Sequence, residues 1–266
     1  MNARLAWLPL VLLLAGCAGL RTGDRVEDVN PEARVPKEVN QKARIHTELG
    51  AGYYSQGKYG FAMQNLNIAR DADPNYPPVY NMLGLVHAEL REDRQAEDNF
   101  RRAIEISPRY SEGHNNYGLF LCKRGRIDEA LARFEAALAN PLYDTPERAL
   151  ANAGACALEK SDLATAEMYF ARALKRSPNH PTALLGMAEI NVRKGRWLAA
   201  RLQIRQLGDA SVLSAPALWV GVRAERHMGD REAEANYGTQ LRRRFPDALQ
   251  TQWLLTGQYD QVGGIL

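Results

Sequence analysis

Pro77-Pro78-Val79-Tyr80-Asn81-Met82-Leu83-Gly84-Leu85-Val86-His87 decides the fold when it is laid over Ser111-Glu112-Gly113-His114-Asn115-Asn116-Tyr117-Gly118-Leu119-Phe120-Leu121. Counted from Pro77 and from Ser111, both stretches put a bulky side chain at position 7 and Gly at position 8. Further on, Ala96, Phe100 and Ala103 are answered by Ala130, Phe134 and Ala137 at positions 20, 24 and 27. Glycine inside a helix costs about 1 kcal/mol relative to alanine. Its return at a fixed place therefore needs a compensating cause, and close contact between two helices supplies one.

Working outward, the 34-residue period holds upstream from Ala43, with Leu49, Gly50, Tyr53, Ala62, Leu66, Ala69 and Pro74. It holds downstream from Glu147, with Ala153, Gly154, Ala157, Ala166, Phe170, Ala173 and Pro178. A weaker unit starts at Pro181, with Met187, Ala188, Ala200 and Ile204. The weakest starts at Ala215, keeping Leu218, Leu241 and Pro246 but putting Val222 at position 8. Starts at 43, 77, 111, 147, 181 and 215 include one step of 36, whose extra residues fall in Asn140–Pro146. Gly57, Gly125, Gly195 and Gly229 all stand at position 15, where the first helix of a unit turns into the second. Pro at position 32 cannot continue a helix and ends each pair. This pattern resembles the tetratricopeptide repeat, two antiparallel helices per 34 residues. The expected fold is all-α: a tetratricopeptide-repeat superhelix of about six helix pairs over 37–248. A capping helix and tail follow in 249–266, with Leu249, Trp253 and Leu254 expected on its inner face, because terminal repeats must be closed off.

The chain begins differently. Leu5–Gly16 is an apolar run interrupted by Pro9, behind a positive start at Met1–Arg4. It is too short to span a bilayer and fits a signal-peptide core. It ends in Leu14-Ala15-Gly16-Cys17, which resembles the bacterial lipobox, so 1–16 is read as a lipoprotein signal peptide and Cys17 as the lipidated residue. The acyl chains would fix the mature chain to a membrane surface, since two chains already anchor stably. Ala18, where an Asp would favour inner-membrane retention in such lipoproteins, points to the outer membrane. Residues 17–36 are polar, carry Pro31 and Pro36, lack apolar periodicity and read as a flexible tether.

Composition excludes several functions. Lys+Arg is 34 against Asp+Glu 31, a net +3, which removes the electrostatic case for nucleic-acid binding. The histidines, at 46, 87, 114, 180 and 227, do not pair with one another or with Cys at metal-ligand spacing. No phosphate loop or nucleophile elbow occurs, so no catalytic residue, metal or cofactor is expected, nor a small-molecule substrate. Cys122 and Cys156 are expected to be buried free thiols, because neighbouring helices 8–10 Å apart sit awkwardly for a disulfide. Arg242-Arg243-Arg244 near a helix end complements its dipole, with an acidic partner or lipid headgroup as the other reading.

In the repeat family, positions 2, 5, 9, 12 and 13 line the concave face. Here position 9 reads Ala51, Leu85, Leu119 and Ala155, and position 12 reads Tyr54, Ala88, Cys122, Leu158 and Val192. Thr47 and Ala51 replace the Lys and Asn of the family's carboxylate clamp. The stripe is apolar: it suits an apolar or amphipathic partner segment, or else tight packing or the tether covers it. Tyr54, Leu85, Leu119, Leu158 and Trp219 are the candidate partner contacts.

The order of lipobox, tether and six repeats resembles the type IV pilus biogenesis/stability lipoproteins, the PilF/PilW pilotins. Asn115-Asn116-Tyr117-Gly118-Leu119-Phe120-Leu121, Arg126-Ile127-Asp128-Glu129-Ala130, Leu142-Tyr143 and Tyr237-Gly238-Thr239-Gln240-Leu241 before Phe245-Pro246 carry the match. Cys122 departs from it, standing where a larger residue is expected, and Gln258–Leu266 is not a family feature. The resemblance implies a non-enzymatic outer-membrane pilotin, held in the inner leaflet by its lipid and facing the periplasm. Its partner would be the type IV pilus secretin subunit, which it would help to localise and multimerise. The competing expectation is a lipidated periplasmic repeat scaffold for cell-wall enzymes or outer-membrane-protein assembly.

Overall fold

A computed structural model describes residues 40–262. The signal peptide, Cys17, the tether and the last four residues of the tail lie outside the described residues. Among the described residues there are thirteen helices and no strand. Six pairs follow one another: α1 (Gln41–Ser55) with α2 (Tyr59–Ala72), α3 (Pro77–Glu89) with α4 (Asp93–Ile106), and α5 (Ser111–Lys123) with α6 (Ile127–Leu138). Then come α7 (Pro146–Glu159) with α8 (Leu163–Arg176), α9 (Pro181–Arg193) with α10 (Trp197–Leu207), α11 (Ala215–Met228) with α12 (Arg231–Arg244), and the single helix α13 (Leu249–Thr256). Each pair packs internally and against the next, forming an all-α superhelix of repeats.

Local chemistry sets the boundaries. Proline opens α3, α7, α9 and α11 within the first turn, where its missing N–H is not needed. Asp162 and Asp230 cap α8 and α12 by accepting from the Thr165 and Ala233 amides. α1 starts two residues ahead of the repeat count, because Asn40 caps it through the Lys42 amide and also donates to the Ala72 carbonyl at 2.9 Å.

The position-8 glycines do what their spacing implied. A Cβ on Gly84, Gly118 or Gly154 would stand 2.7–2.8 Å from the ring of Phe100, Phe134 or Phe170, sixteen residues on, and Gly50 faces Leu66 likewise. Those four position-24 side chains are fully buried, as are the alanines at 20 and 27 of the same units. Phe170 is clasped twice, since a Cβ on Gly186 of the following pair would lie 2.2 Å from it. The sixth unit runs one residue ahead of the count: Gly221, not Val222, makes the close approach, to Tyr237.

At position 15 the backbone is left-handed throughout. Gly57, Gly125, Gly195 and Gly229 have φ of 69–76°, and the other two units put Arg91 (62°) and Ser161 (60°) in that place. An L-residue there costs about 1–2 kcal/mol that glycine avoids.

Two expectations need correction. Cys122 and Cys156 form a disulfide between α5 and α7, with Cα atoms 5.8 Å apart. The expectation of free thiols compared the axis spacing with a Cα spacing. Cα atoms lie about 2.3 Å off each axis, so facing Cα atoms of helices about 8–10 Å apart come within disulfide reach. The capping helix α13 buries Thr251, whose hydroxyl donates to the Phe245 carbonyl at 2.6 Å, whereas Leu249 is 59% exposed. Trp253 and Leu254 do pack inward against the last core cluster.

Candidate functional site

The apolar stripe divides into two halves. Over the first three pairs it is open: Ala51, Tyr54, Leu85, Ala88 and Leu119 are half-buried. From the disulfide onward it is shut, with Cys122, Ala155, Leu158 and Val192 all buried. Tight packing closes that half, one of the outcomes the sequence left open.

The open half holds a cleft of about 420 Å³. Tyr54 comes from α1, Leu85, Ala88 and Glu89 from α3, Arg91 from the α3–α4 turn, Phe100 from α4, and Asn116, Leu119, Phe120, Lys123 and Arg124 from the end of α5. Helical spacing explains the convergence. Leu85, Ala88 and Glu89 share one face of α3, and Asn116, Leu119, Phe120 and Lys123 share the matching face of α5. The structure thus brings Tyr54, Leu85 and Leu119 together. It does not bring Leu158 or Trp219 to them. Leu158 is 4% exposed, in the same buried cluster as both cysteines, and so offers almost no surface to a partner.

Trp219 is 1% exposed and belongs to the core. Its indole N–H donates to the Gln261 carbonyl at 3.0 Å, and its ring stacks on Tyr259 at 5.9 Å between centroids. The tail itself covers the position read as a contact, made possible by a reversal at Gly257, φ 68°. Position 9 also changes character in this half: Glu189 and Arg223 replace aliphatic residues and bond each other at 2.9 Å, both buried.

Charge is distributed unevenly around the cleft. Glu89 accepts a long hydrogen bond from the Tyr54 hydroxyl, 3.5 Å. Burial, and then the neighbouring Glu89 charge, push the Tyr54 phenol up to about 12. Arg124 grips Asp93 with two bonds, at 2.8 and 2.5 Å, and lies over the Phe120 ring at 5.1 Å. That grip is the main cause holding the Asp93 carboxyl below its usual range. Arg91 and Lys123 form no contact ion pair among the described residues.

A second cavity adjoins the first, sharing Phe120 and Arg124. Two of its acids, Asp93 and Glu97, are paired: Asp93 takes Arg124, Glu97 takes Arg126 at 2.8 Å and the Tyr117 hydroxyl at 2.7 Å, and Arg126 also holds Glu129. Beneath the groove, amides of Asn81, Asn116, Asn115 and Asn152 bond one another across α3, α5 and α7 at 3.0–3.3 Å. Sequence reasoning missed this ladder, although Asn at positions 5 and 6 of successive units was its signal. It also missed Arg91, whose signal was the absence of Gly at position 15 of the second unit. Among the described residues, no group of three or more His, Cys, Asp or Glu could hold a metal, and no helix is long and apolar enough to cross a membrane.

Comparison with known proteins agrees with this architecture. Tetratricopeptide-repeat family models match residues 77–110, 99–132, 118–181 and 157–219. The type IV pilus assembly protein PilF of Pseudomonas aeruginosa is 30% identical over 244 residues, 91% of this chain and 95% of that one. The chain belongs to the PilF/PilW family of tetratricopeptide-repeat proteins of type IV pilus biogenesis. Among solved structures, PilW, described as a widely conserved type IV pilus biogenesis factor, superposes with a TM-score of 0.72 at 31% identity, covering 81% of this chain and 99% of that one. Pseudomonas aeruginosa PilF superposes with a TM-score of 0.75 at 28% identity, covering 83% and 100%. As a PilF/PilW family member this chain is a repeat scaffold.

Proposed function

We propose that this PilF/PilW family member is an outer-membrane lipoprotein pilotin. It binds the type IV pilus secretin subunit and promotes its localisation and multimerisation. The observation that carries the reading is the cleft over the first three pairs, where an apolar floor of Leu85, Ala88 and Leu119 beneath a charged rim is left open while the rest of the stripe is closed. Apolar surface held open in a rigid scaffold is a binding surface by default. The lipobox at Cys17 supplies the membrane half of the mechanism. A lipid there confines the groove to the inner leaflet of the outer membrane, and a secretin segment held in the groove is concentrated beside the bilayer. The Cys122–Cys156 disulfide supports an oxidising compartment such as the periplasm.

The test compares secretin recovered with the chain from solubilised outer membranes, and secretin multimers in cells, for the natural chain, Cys17→Ala and Leu85→Asp. Loss of multimers in both variants, with Leu85→Asp still folded and membrane-bound, is the expected result. Normal secretin rings in both would end the pilotin reading. Recovery of cell-wall hydrolases or barrel-assembly factors without secretin would favour a scaffold instead.

A further inference from the structure

Two observations meet at Arg91. The α3–α4 turn requires a left-handed residue, and four of the six units supply glycine for it. Arg91 occupies that place at φ 62°, a conformation an L-side chain adopts only under constraint. A strained residue that glycine would relieve is a reason to look for a use of its side chain. The side chain of Arg91 lines the cleft, together with Tyr54, Leu85 and Leu119.

The other charges facing the cleft show what Arg91 is free to do. Arg124 is committed to Asp93, and Glu89 takes the Tyr54 hydroxyl. Arg91 reaches Asp93 only as a secondary charge behind Arg124. Lys123, exposed at the end of α5, stands on the same rim. The apolar floor of Leu85, Ala88, Leu119 and Phe120 therefore ends in two cations without a contact carboxylate among the described residues.

We infer that Arg91 is a specificity residue of the groove, donating to a carboxylate on an amphipathic partner segment whose apolar side chains lie on Leu85 and Leu119. The inference rests on the groove reading above and adds the partner's chemistry: an acidic residue at the end of the segment that meets the α3–α4 turn. Guanidinium is suited to this, since its planar fork pairs with carboxylate in two parallel bonds.

Ser161 makes the experiment clean. It sits in the same left-handed slot of the fourth unit, φ 60°, and does not line the cleft. Arg91→Gly and Ser161→Gly relieve the same strain, so both should raise Tm, by about 2–4 °C for a chain of this size. Only Arg91→Gly should reduce the secretin recovered with the lipidated chain, by about fivefold, as loss of one exposed charge pair would. Arg91→Lys should retain much of the recovery, and the natural chain's recovery should fall with added salt more steeply than that of Arg91→Gly. Full recovery by Arg91→Gly, with Leu85→Asp defective and both folded, overturns the role of Arg91 while leaving the groove reading intact. Full recovery by Leu85→Asp removes the groove reading and this inference with it.

Discussion

At the scale of single residues, glycine has two opposite meanings in this chain, and the space around each one separates them. A Cβ on Gly154 would meet the Phe170 ring at 2.7 Å, whereas one on Gly52, in the last turn of α1, has nothing within 4 Å among the described residues. Gly52→Ala should stabilise the protein by up to about 1 kcal/mol through helix propensity alone. Gly154→Ala gains the same propensity but overpacks a buried aromatic contact, so it should destabilise by about 1–3 kcal/mol. Urea titrations of the two variants check the opposite signs. His114 is a second residue whose surroundings decide its behaviour. It is buried, its Nε2 bonds the Pro108 carbonyl at 2.9 Å, and its Nδ1 has no partner among the described residues. Burial lowers its affinity for a proton below the ordinary 6.5. The unfolded chain then binds the proton more readily than the folded one, so this residue costs no stability above about pH 6.5. Stability is lost as pH falls below that value toward the lowered folded-state value. His180 is shifted in the same direction, also by burial. A steeper fall of Tm between pH 7 and 5 in the natural chain than in His114→Gln is the expected outcome.

At the scale of helices, the Cys122–Cys156 bond closes a stretch of 34 residues between two consecutive units. The chain-entropy account gives such a loop roughly 3–4 kcal/mol of stabilisation. Cys122→Ser with Cys156→Ser, or reduction of the natural chain, should lower Tm accordingly, and a reductant should not change the double variant further. How far the sequence revealed these elements follows from what periodicity can carry. Position-8 glycine and position-24 aromatic residues are one contact written twice, so four pairs could be read with their register. The fifth and sixth pairs keep the helices but blur the contact: Ala188 replaces Gly, and Gly221 arrives one residue early for Tyr237. The disulfide and the asparagine ladder join different units, and the 34-residue count gives no distance between units. Of the site, Tyr54, Leu85 and Leu119 were legible because concave positions repeat. Leu158 and Trp219 occupy the same kind of position, yet local packing and the tail decide their exposure. Arg91 was legible only as a broken rule.

At the scale of the whole molecule, a repeat stack is as stable as its ends, because each unit leans only on its neighbours. The C-terminal end here is closed by more than α13. Gly257 reverses the chain, Tyr259 lies between the Trp219 ring and the Arg226 guanidinium, which is 3.9 Å from the Tyr259 centroid, and Gln261 accepts from Trp219. Residues 258–262, in the segment that resemblance to relatives left without a role, are thus part of the cap. Truncating the chain after Gly257 removes one stacked aromatic contact, the Arg226–Tyr259 cation–π contact and one hydrogen bond from a buried indole. Together these are worth about 1–3 kcal/mol. In a stack with nearest-neighbour coupling that loss is felt first where it occurs. Amide hydrogen exchange should therefore quicken in α11 to α13 and stay unchanged in α1 to α6, while Trp219 emission shifts to the red. The cleft over the first three pairs lies at the other end of the stack, so partner binding should survive the truncation. Uniform loss of protection across all six pairs would instead mean that the stack melts as one cooperative body, with the cap holding the groove in shape from a distance.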